Sequence, residues 1–312
     1  MTRFQIKEHL DLDKQIQTIL KTIAPVNVSY ASMLTNRLII NPDRFLTFHS
    51  HSGQCVATAV YRRGFKSGSI YASVFMSDEE PSEVFNAIRQ FAADKAFSIV
   101  TVEALGMGYN VIPDQPGHKV SHQTNFYLCD LSDGKPNERF SSNQRRNLRK
   151  ALKQDYRLIE QNVDKAISTH QGMINSSNHR RTILGQAVAW VDDRTRLLID
   201  SGYGRLFQLA NRDNDVVSSL LIIKSNDQAN YYIGGSSTEG MRNGASTLLF
   251  KKTMDILQKE GCSVLSLGIA NESGLARFKT GLGAYEVSIE RKMFEKTTPV
   301  LMLKNLLHKL LS

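Results

Sequence analysis

The stretch Ala229-Asn230-Tyr231-Tyr232-Ile233-Gly234-Gly235-Ser236-Ser237, continuing as Thr238-Glu239-Gly240-Met241-Arg242-Asn243-Gly244-Ala245-Ser246, decides the reading of the fold. Its apolar and aromatic first half has the composition of a strand. Glycines end that strand, and the helical periodicity that follows runs to about Glu260. Ser263-Val264-Leu265-Ser266-Leu267-Gly268 predicts a second strand, 271–280 a short helix, and Gly283-Ala284-Tyr285 a third strand. The outline is strand, glycine loop, long helix, strand, short helix, strand.

Working outward, the same order occurs earlier in the chain. Strands are expected at 44–49, 54–62 and 70–76, then a helix opened by Pro81, where a missing N–H costs nothing. Strands at 98–105 and 125–131 follow, separated by a loop-like 110–123. In the second half, 205–209, 216–224 and 229–233 precede the long helix and the strand at 264–267. Each element lies roughly 160 residues after its counterpart, the mark of a duplicated unit. Leu105-Gly106 aligns in this way with Leu267-Gly268. The expected architecture is α/β (α+β): two tandem units, 1–133 and 134–312, each a mixed central sheet flanked by helices.

Between the repeats the pattern is helical. Ser141 with Gln144 three later is a capping-box arrangement. The helix from Ser142 to about Lys153 carries Arg145, Arg146, Arg149, Lys150 and Lys153 on one side, with Leu148, Ala151 and Leu152 on the other. A short strand near 156–160 and helices at 163–173 and 183–199 follow. Helices are also expected at 13–22 and, leucine-rich, at 299–311, the latter read as a cover for the domain surface.

Composition narrows the function. The chain has 312 residues, 41% of them hydrophobic and 22% charged, ordinary values for a globular protein. No apolar run reaches eighteen residues, so no transmembrane helix is expected, and residues 1–8 hold no apolar signal core. Cys55, Cys129 and Cys262 are few and far apart, which points to a reducing, cytoplasmic compartment and no disulfide framework. His49 and His51 alternate on a strand, and His118 and His122 are helix-spaced in a loop; neither pair has the neighbours of a metal site. A formal charge of +9 favours anionic partners.

The loop 234–246 has the composition of a phosphate cradle, because glycines admit an anion close to the backbone and a helix N-terminus presents unpaired N–H groups. It carries neither a Walker sequence nor a dinucleotide fingerprint.

Tyr231-Tyr232-Ile233-Gly234-Gly235, Gly244-Ala245-Ser246, Leu267-Gly268 and the run from Gly274 to Gly283, together with the basic Ser141–Ala151 segment, resemble the double-GNAT proteins. That group includes CelD/BioF-like acetyltransferases and Fem-type peptidoglycan aminoacyltransferases. The resemblance covers about 140–290 well and 40–130 by order of elements. It implies a splayed sheet with the acyl donor between strands 229–235 and 263–267, its pyrophosphate at the N-terminus of helix 241–260. The donor-binding set is then Arg242, Asn243, Gly244, Ala245 and Ser246. Met241 and Ser246 depart from the usual Gln/Arg and small residue of the pyrophosphate motif.

By the same resemblance Lys279, in the Phe278-Lys279 pair, stabilises the reacting acyl carbonyl. Tyr232 and Tyr285 are the further catalytic candidates, with Glu239 and Glu272 also considered as bases. Arg145, Arg149, Ser236, Asn271, Arg277 and Phe278 are the substrate-binding candidates. The implied activity is acyl transfer from acyl-CoA, a co-substrate with no permanently bound cofactor or metal, to an amine or hydroxyl of a small molecule or cell-envelope precursor. Two alternatives stand beside it: a Fem-like transferase using aminoacyl-tRNA, and a non-catalytic ligand-binding protein that keeps the fold.

Overall fold

The structure is a computed structural model. It describes residues 4–9, 44–53, 55–64, 67–74, 81–95, 97, 99–104, 118–133, 135–159, 163–180, 195–196, 198–200, 202–225, 227–270 and 273–295. The helices expected at 13–22 and 299–311, most of that at 183–199, and Leu105, Gly106, Asn271 and Glu272 lie outside these residues.

The strands are β1 (Gln5–His9), β2 (Arg44–His49), β3 (Cys55–Gly64), β4 (Ser67–Val74), β5 (Ile99–Ala104), β6 (His118–Asp130), β7 (Arg157–Ile159), β8 (Gly204–Ala210), β9 (Val216–Ser225), β10 (Gln228–Ser236), β11 (Val264–Ile269) and β12 (Tyr285–Glu295). The α-helices are α1 (Pro81–Asp94), α2 (Ser142–Ala151), α3 (Val163–Arg180), α4 (Thr238–Arg242), α5 (Ala245–Lys259) and α6 (Ser273–Gly281). A 3-10 turn, Pro136–Arg139, precedes α2.

The duplication is visible in the positions and in the pairing. β8, β9 and β10 begin at 204, 216 and 228, against 44, 55 and 67 for β2, β3 and β4. In each repeat the first three strands pair antiparallel, and a helix then leads to a strand parallel to the third. A parallel neighbour needs such a crossover, which is why α1 and α5 fall at the same place in the order.

The described residues form two compact units, one made of those within 4–124 together with 288–295, the other of those within 125–287. Within the first unit, 288–295 of β12 complete the sheet by pairing antiparallel with β5. Within the second, 125–130 of β6 do the same for β11. Each sheet is therefore finished by the last strand of the other repeat. Packing divides at 124/125 and again at 287/288, rather than once at 133/134 as expected from the sequence. Linear reading misses this because composition does not change where a strand passes from one sheet to the other.

The segment 118–123, read as loop, is the start of β6, so His118 and His122 are strand residues. The expected single helix 241–260 is two: α4, then α5 after a break at Asn243-Gly244.

The first unit buries Leu46, Phe48, Val56, Ile70, Phe85, Ile88 and Val102 under α1. The second buries Leu209, Leu220, Ile222, Leu249, Met254, Leu257 and Leu265 between the sheet and α5. α5 buries Leu249, Thr253 and Leu257 at four-residue spacing, with Phe250 and Met254 beside them on the same side.

Because 125–130 supply a hydrogen-bonded neighbour to β11, a fragment covering 125–287 is expected to melt cooperatively by circular dichroism. One starting at 134 exposes β11 as an unpaired edge and is expected to lose that transition.

Candidate active site

The site begins where two parallel strands part. β10 and β11 pair at Gln228–Val264, Ala229–Leu265 and Asn230–Ser266, and no further. Past that point each strand carries a register shift: β10 between Tyr231 and Ile233 against β9, and β11 between Ser266 and Ile269 against β6. An extra residue bends a strand and increases its twist, so the two diverge. Gly268 sits in β11's irregularity with φ +69°, a conformation that costs a side-chain-bearing residue.

The divergence opens a cavity of about 470 Å³. Tyr231, Phe250 and Phe278 line it as a row, with ring centroids 5.2 Å and 5.8 Å apart in edge-on contact. Leu220 and Leu267 add to the apolar wall, while Asn147, Ser236, Ser246 and Thr247 lie at its other end. Met241, 49% exposed, stands at the lining as well.

Lys279 also lines the cavity, although only 3% of it is exposed. Its Nζ donates to the Ile269 carbonyl at 2.6 Å, just past the irregular turn of β11. The Tyr127 ring centroid lies 5.9 Å from the same nitrogen. Burial pushes the Lys279 ammonium down to about 8, since taking it from water disfavours the charged form. The last turn of α6, where the helix dipole is negative, offsets part of that cost.

The N-terminus of α5 is enclosed by α2. Gly244, with φ +76°, caps α5; a Cβ there would lie 2.4 Å from the Asn147 carbonyl oxygen. Thr247 Oγ1 donates to the buried Gln144 Oε1 at 2.6 Å, and Lys150 Nζ donates to the Arg242 carbonyl. Ser141 caps α2 and takes its own anchor from the Gly281 carbonyl, 2.8 Å away. Ser218, Ser236 and Ser246 form a hydroxyl chain with O···O distances of 2.9 Å and 2.7 Å.

The glycines have packing reasons of their own. A Cβ on Gly235 would lie 2.8 Å from the Met173 carbonyl oxygen of α3, and one on Gly240 2.1 Å from that of Val217. Several loop N–H groups are already engaged: Gly240 to Ser237 Oγ, Met241 to the Ser237 carbonyl, Asn243 to that of Glu239 and Gly244 to that of Met241. The first three N–H groups of α5, on Ala245, Ser246 and Thr247, have no acceptor within the helix.

Of the sequence-expected residues, the cavity gathers Lys279, Phe278, Ser236, Gly244 and Ser246, with Ala245 next to them as the first residue of α5. It does not gather Tyr232, whose neighbour Tyr231 takes the wall position instead. Tyr285 opens β12 with 48% of its surface exposed and does not line the cavity. Arg145, Arg149, Arg242 and Arg277 are exposed and outside the lining. Arg277 donates within its own helix to the Ser273 carbonyl, 3.4 Å away. Asn243 caps the end of α4. Glu239 is held by Tyr156 Oη at 3.1 Å and Asn211 Nδ2 at 3.2 Å, which makes it a fastening of α4 rather than a base facing the cavity. Tyr231, Phe250, Asn147 and Thr247 were missed. Alternation along β10 favours neither tyrosine, because the register shift resets the faces between them. Among the described residues no cysteine lines the cavity, and burial pushes the Cys55 and Cys129 thiols up to about 12.

With this geometry established, comparison with known proteins is informative. The family model described as an acetyltransferase (GNAT) domain matches residues 139–280. This segment is a GNAT domain. The chain therefore carries a GNAT-type transferase domain over this segment, and its tandem fold is shared with solved structures. FemX has a TM-score of 0.69 at 11% identity, covering 91% of this chain and 96% of that one. L-PGS from Bacillus licheniformis has a TM-score of 0.62 at 15% identity, covering 96% and 97%. A tandem GNAT protein from the clavulanic acid biosynthesis pathway has a TM-score of 0.55 at 10% identity, covering 95% and 99%. At these identities the likeness is one of fold. No curated protein matches the sequence. Among the described residues, no helix is long and apolar enough to cross a membrane.

Two outcomes are expected. Lys279 has a folded pKa below the ordinary 10.5, so its protonated form destabilises the fold below pH 8, and the cost fades as pH rises from about 8 to 10.5. Lys279→Met is therefore expected to raise Tm at pH 7, with the gain shrinking towards pH 10 in calorimetric scans. Gly244→Ala forces both a left-handed alanine and a clash with α2; urea titration is expected to show a loss of about 1–3 kcal/mol.

Proposed function

We propose that the cavity catalyses acyl transfer from an acyl-CoA thioester to an amine or hydroxyl of a small-molecule or cell-envelope-precursor acceptor. The observation that carries the reading is Lys279, a buried ammonium with one hydrogen bond, to Ile269, at the parting of β10 and β11. When the acceptor adds to the thioester carbonyl, negative charge grows on the carbonyl oxygen. A fixed cation in a site shielded from water stabilises that charge far more than it would in bulk solvent. The C–S bond then breaks as the carbonyl reforms, and the proton given up by the acceptor amine or hydroxyl passes to the departing thiolate.

The donor arm lies along the parted strands, with its phosphates towards the first turn of α5. There the N–H groups of Ala245, Ser246 and Thr247 and the positive end of the helix dipole favour an anion. Ser246 Oγ and the Asn147 side chain border that end of the cavity. Ser246 thus occupies the small-residue place of the motif without abolishing the helix-end site.

A second donor, aminoacyl-tRNA, is favoured by one observation. The N–H groups of Met241, Asn243 and Gly244 are spent within the loop, which leaves less backbone for a pyrophosphate than an open loop offers. Arg145, Arg146 and Arg149 on the exposed side of α2 suit a phosphate backbone. The solved relatives named FemX and L-PGS share the fold with this chain.

Lys279→Ala is expected to lower kcat/KM for acyl transfer by about 10²-fold with the fold intact; an unchanged value removes the role assigned to Lys279. Ser246→Asp, which helix dipoles tolerate near an N-terminus, is expected to weaken acyl-CoA binding at least about tenfold in calorimetric titration. Salt-sensitive binding of charged tRNA with no binding of acyl-CoA transfers the assignment to the second donor.

A further inference from the structure

We infer that the acyl group handled here is uncharged, apolar and well larger than acetyl, a chain of roughly six to ten carbons. The inference rests on the acyl-CoA reading above and names the substrate class of that same site.

The cavity lining has two chemical characters. Hydroxyls and the Asn147 amide border the first turn of α5, and all three hydroxyls already have partners, Ser236 and Ser246 in each other and Thr247 in Gln144. The same lining holds Tyr231, Phe250, Leu267 and Phe278 together with Lys279. Tyr231 and Phe278 are only half-buried. A water molecule's share of liquid is about 30 Å³, and on that scale the space holds on the order of fifteen water-sized groups. An acetyl group adds only two carbons and an oxygen beyond the sulfur and leaves most of the ring row uncovered. Half of the space takes the chain proposed here.

The wall is also open where a side chain would shorten it. A Cβ on Gly274, at the cavity lining, would meet nothing within 4 Å. Lys279 is the one charged side chain among the described lining residues. A cationic acyl group, such as one with an α-ammonium, would face it without a counter-charge. An anionic one would place its charge among aromatic rings and compete for the cation that the carbonyl oxygen requires.

The test is calorimetric titration with acetyl-, butyryl-, octanoyl- and palmitoyl-CoA, paired with the acetyl and octanoyl thioesters of N-acetylcysteamine, which lack the nucleotide. Each buried methylene is expected to raise affinity about fourfold until the space is filled. Octanoyl-CoA should therefore bind at least about a hundredfold tighter than acetyl-CoA, with no further gain at palmitoyl. Phe278→Ala should move the preferred length upward, and Gly274→Leu downward. Equal affinity for acetyl and octanoyl, within about threefold, overturns the inference while leaving acyl-CoA as donor. Should no CoA thioester bind, the donor reading fails; the cysteamine pair then decides, a preference for octanoyl upholding the apolar acyl group and its absence overturning it.

Discussion

The second unit depends on a parallel strand pair that is kept short. β10 and β11 share three residue pairs, and then register shifts on both strands drive them apart. Three pairs align the strands, with Ala229 and Leu265 buried between the sheet and α5. Continuing the pairing would close the sheet and remove the cavity. The irregular turn at Gly268 also brings the Ile269 carbonyl to Lys279, so the opening and the placement of the cation share one cause. Backbone groups freed from a ladder are normally a liability. Here the Ile269 carbonyl accepts from the buried Lys279 ammonium.

α2 plays the complementary part at the far end of the cavity. It packs against α5 through Gln144–Thr247 and through the close approach of Asn147 to Gly244. Its basic residues thus divide by direction. Lys150 is tied to the carbonyl end of α4, while Arg145, Arg146 and Arg149 face outward. One helix therefore packs against the start of α5 and presents a charged outer surface, and both follow from a single amphipathic pattern.

The exchange of final strands between the repeats sets the level at which the protein is built. Each sheet needs six residues or more from the other repeat to finish it. Sequence repeats and packed units are then different divisions of the same chain.

The order of elements, the duplication, the cap at Ser141 and the helix start at Pro81 could be read from local periodicity and residue type, whereas the Phe278-Lys279 pair is singled out only by the resemblance to a family. The site could be read only in part. That Tyr231 and not Tyr232 lines the wall depends on a register shift, which long-range pairing creates and local pattern does not encode. That Gly235 and Gly240 serve close packing against α3 and β9 depends on helices arriving from elsewhere in the chain. That Lys279 is buried and lowered towards neutrality depends on Ile269, Tyr127 and the ring row, separated from it in sequence by up to about 150 residues. Periodicity specifies which way a side chain faces along its own element; tertiary packing alone decides what it faces.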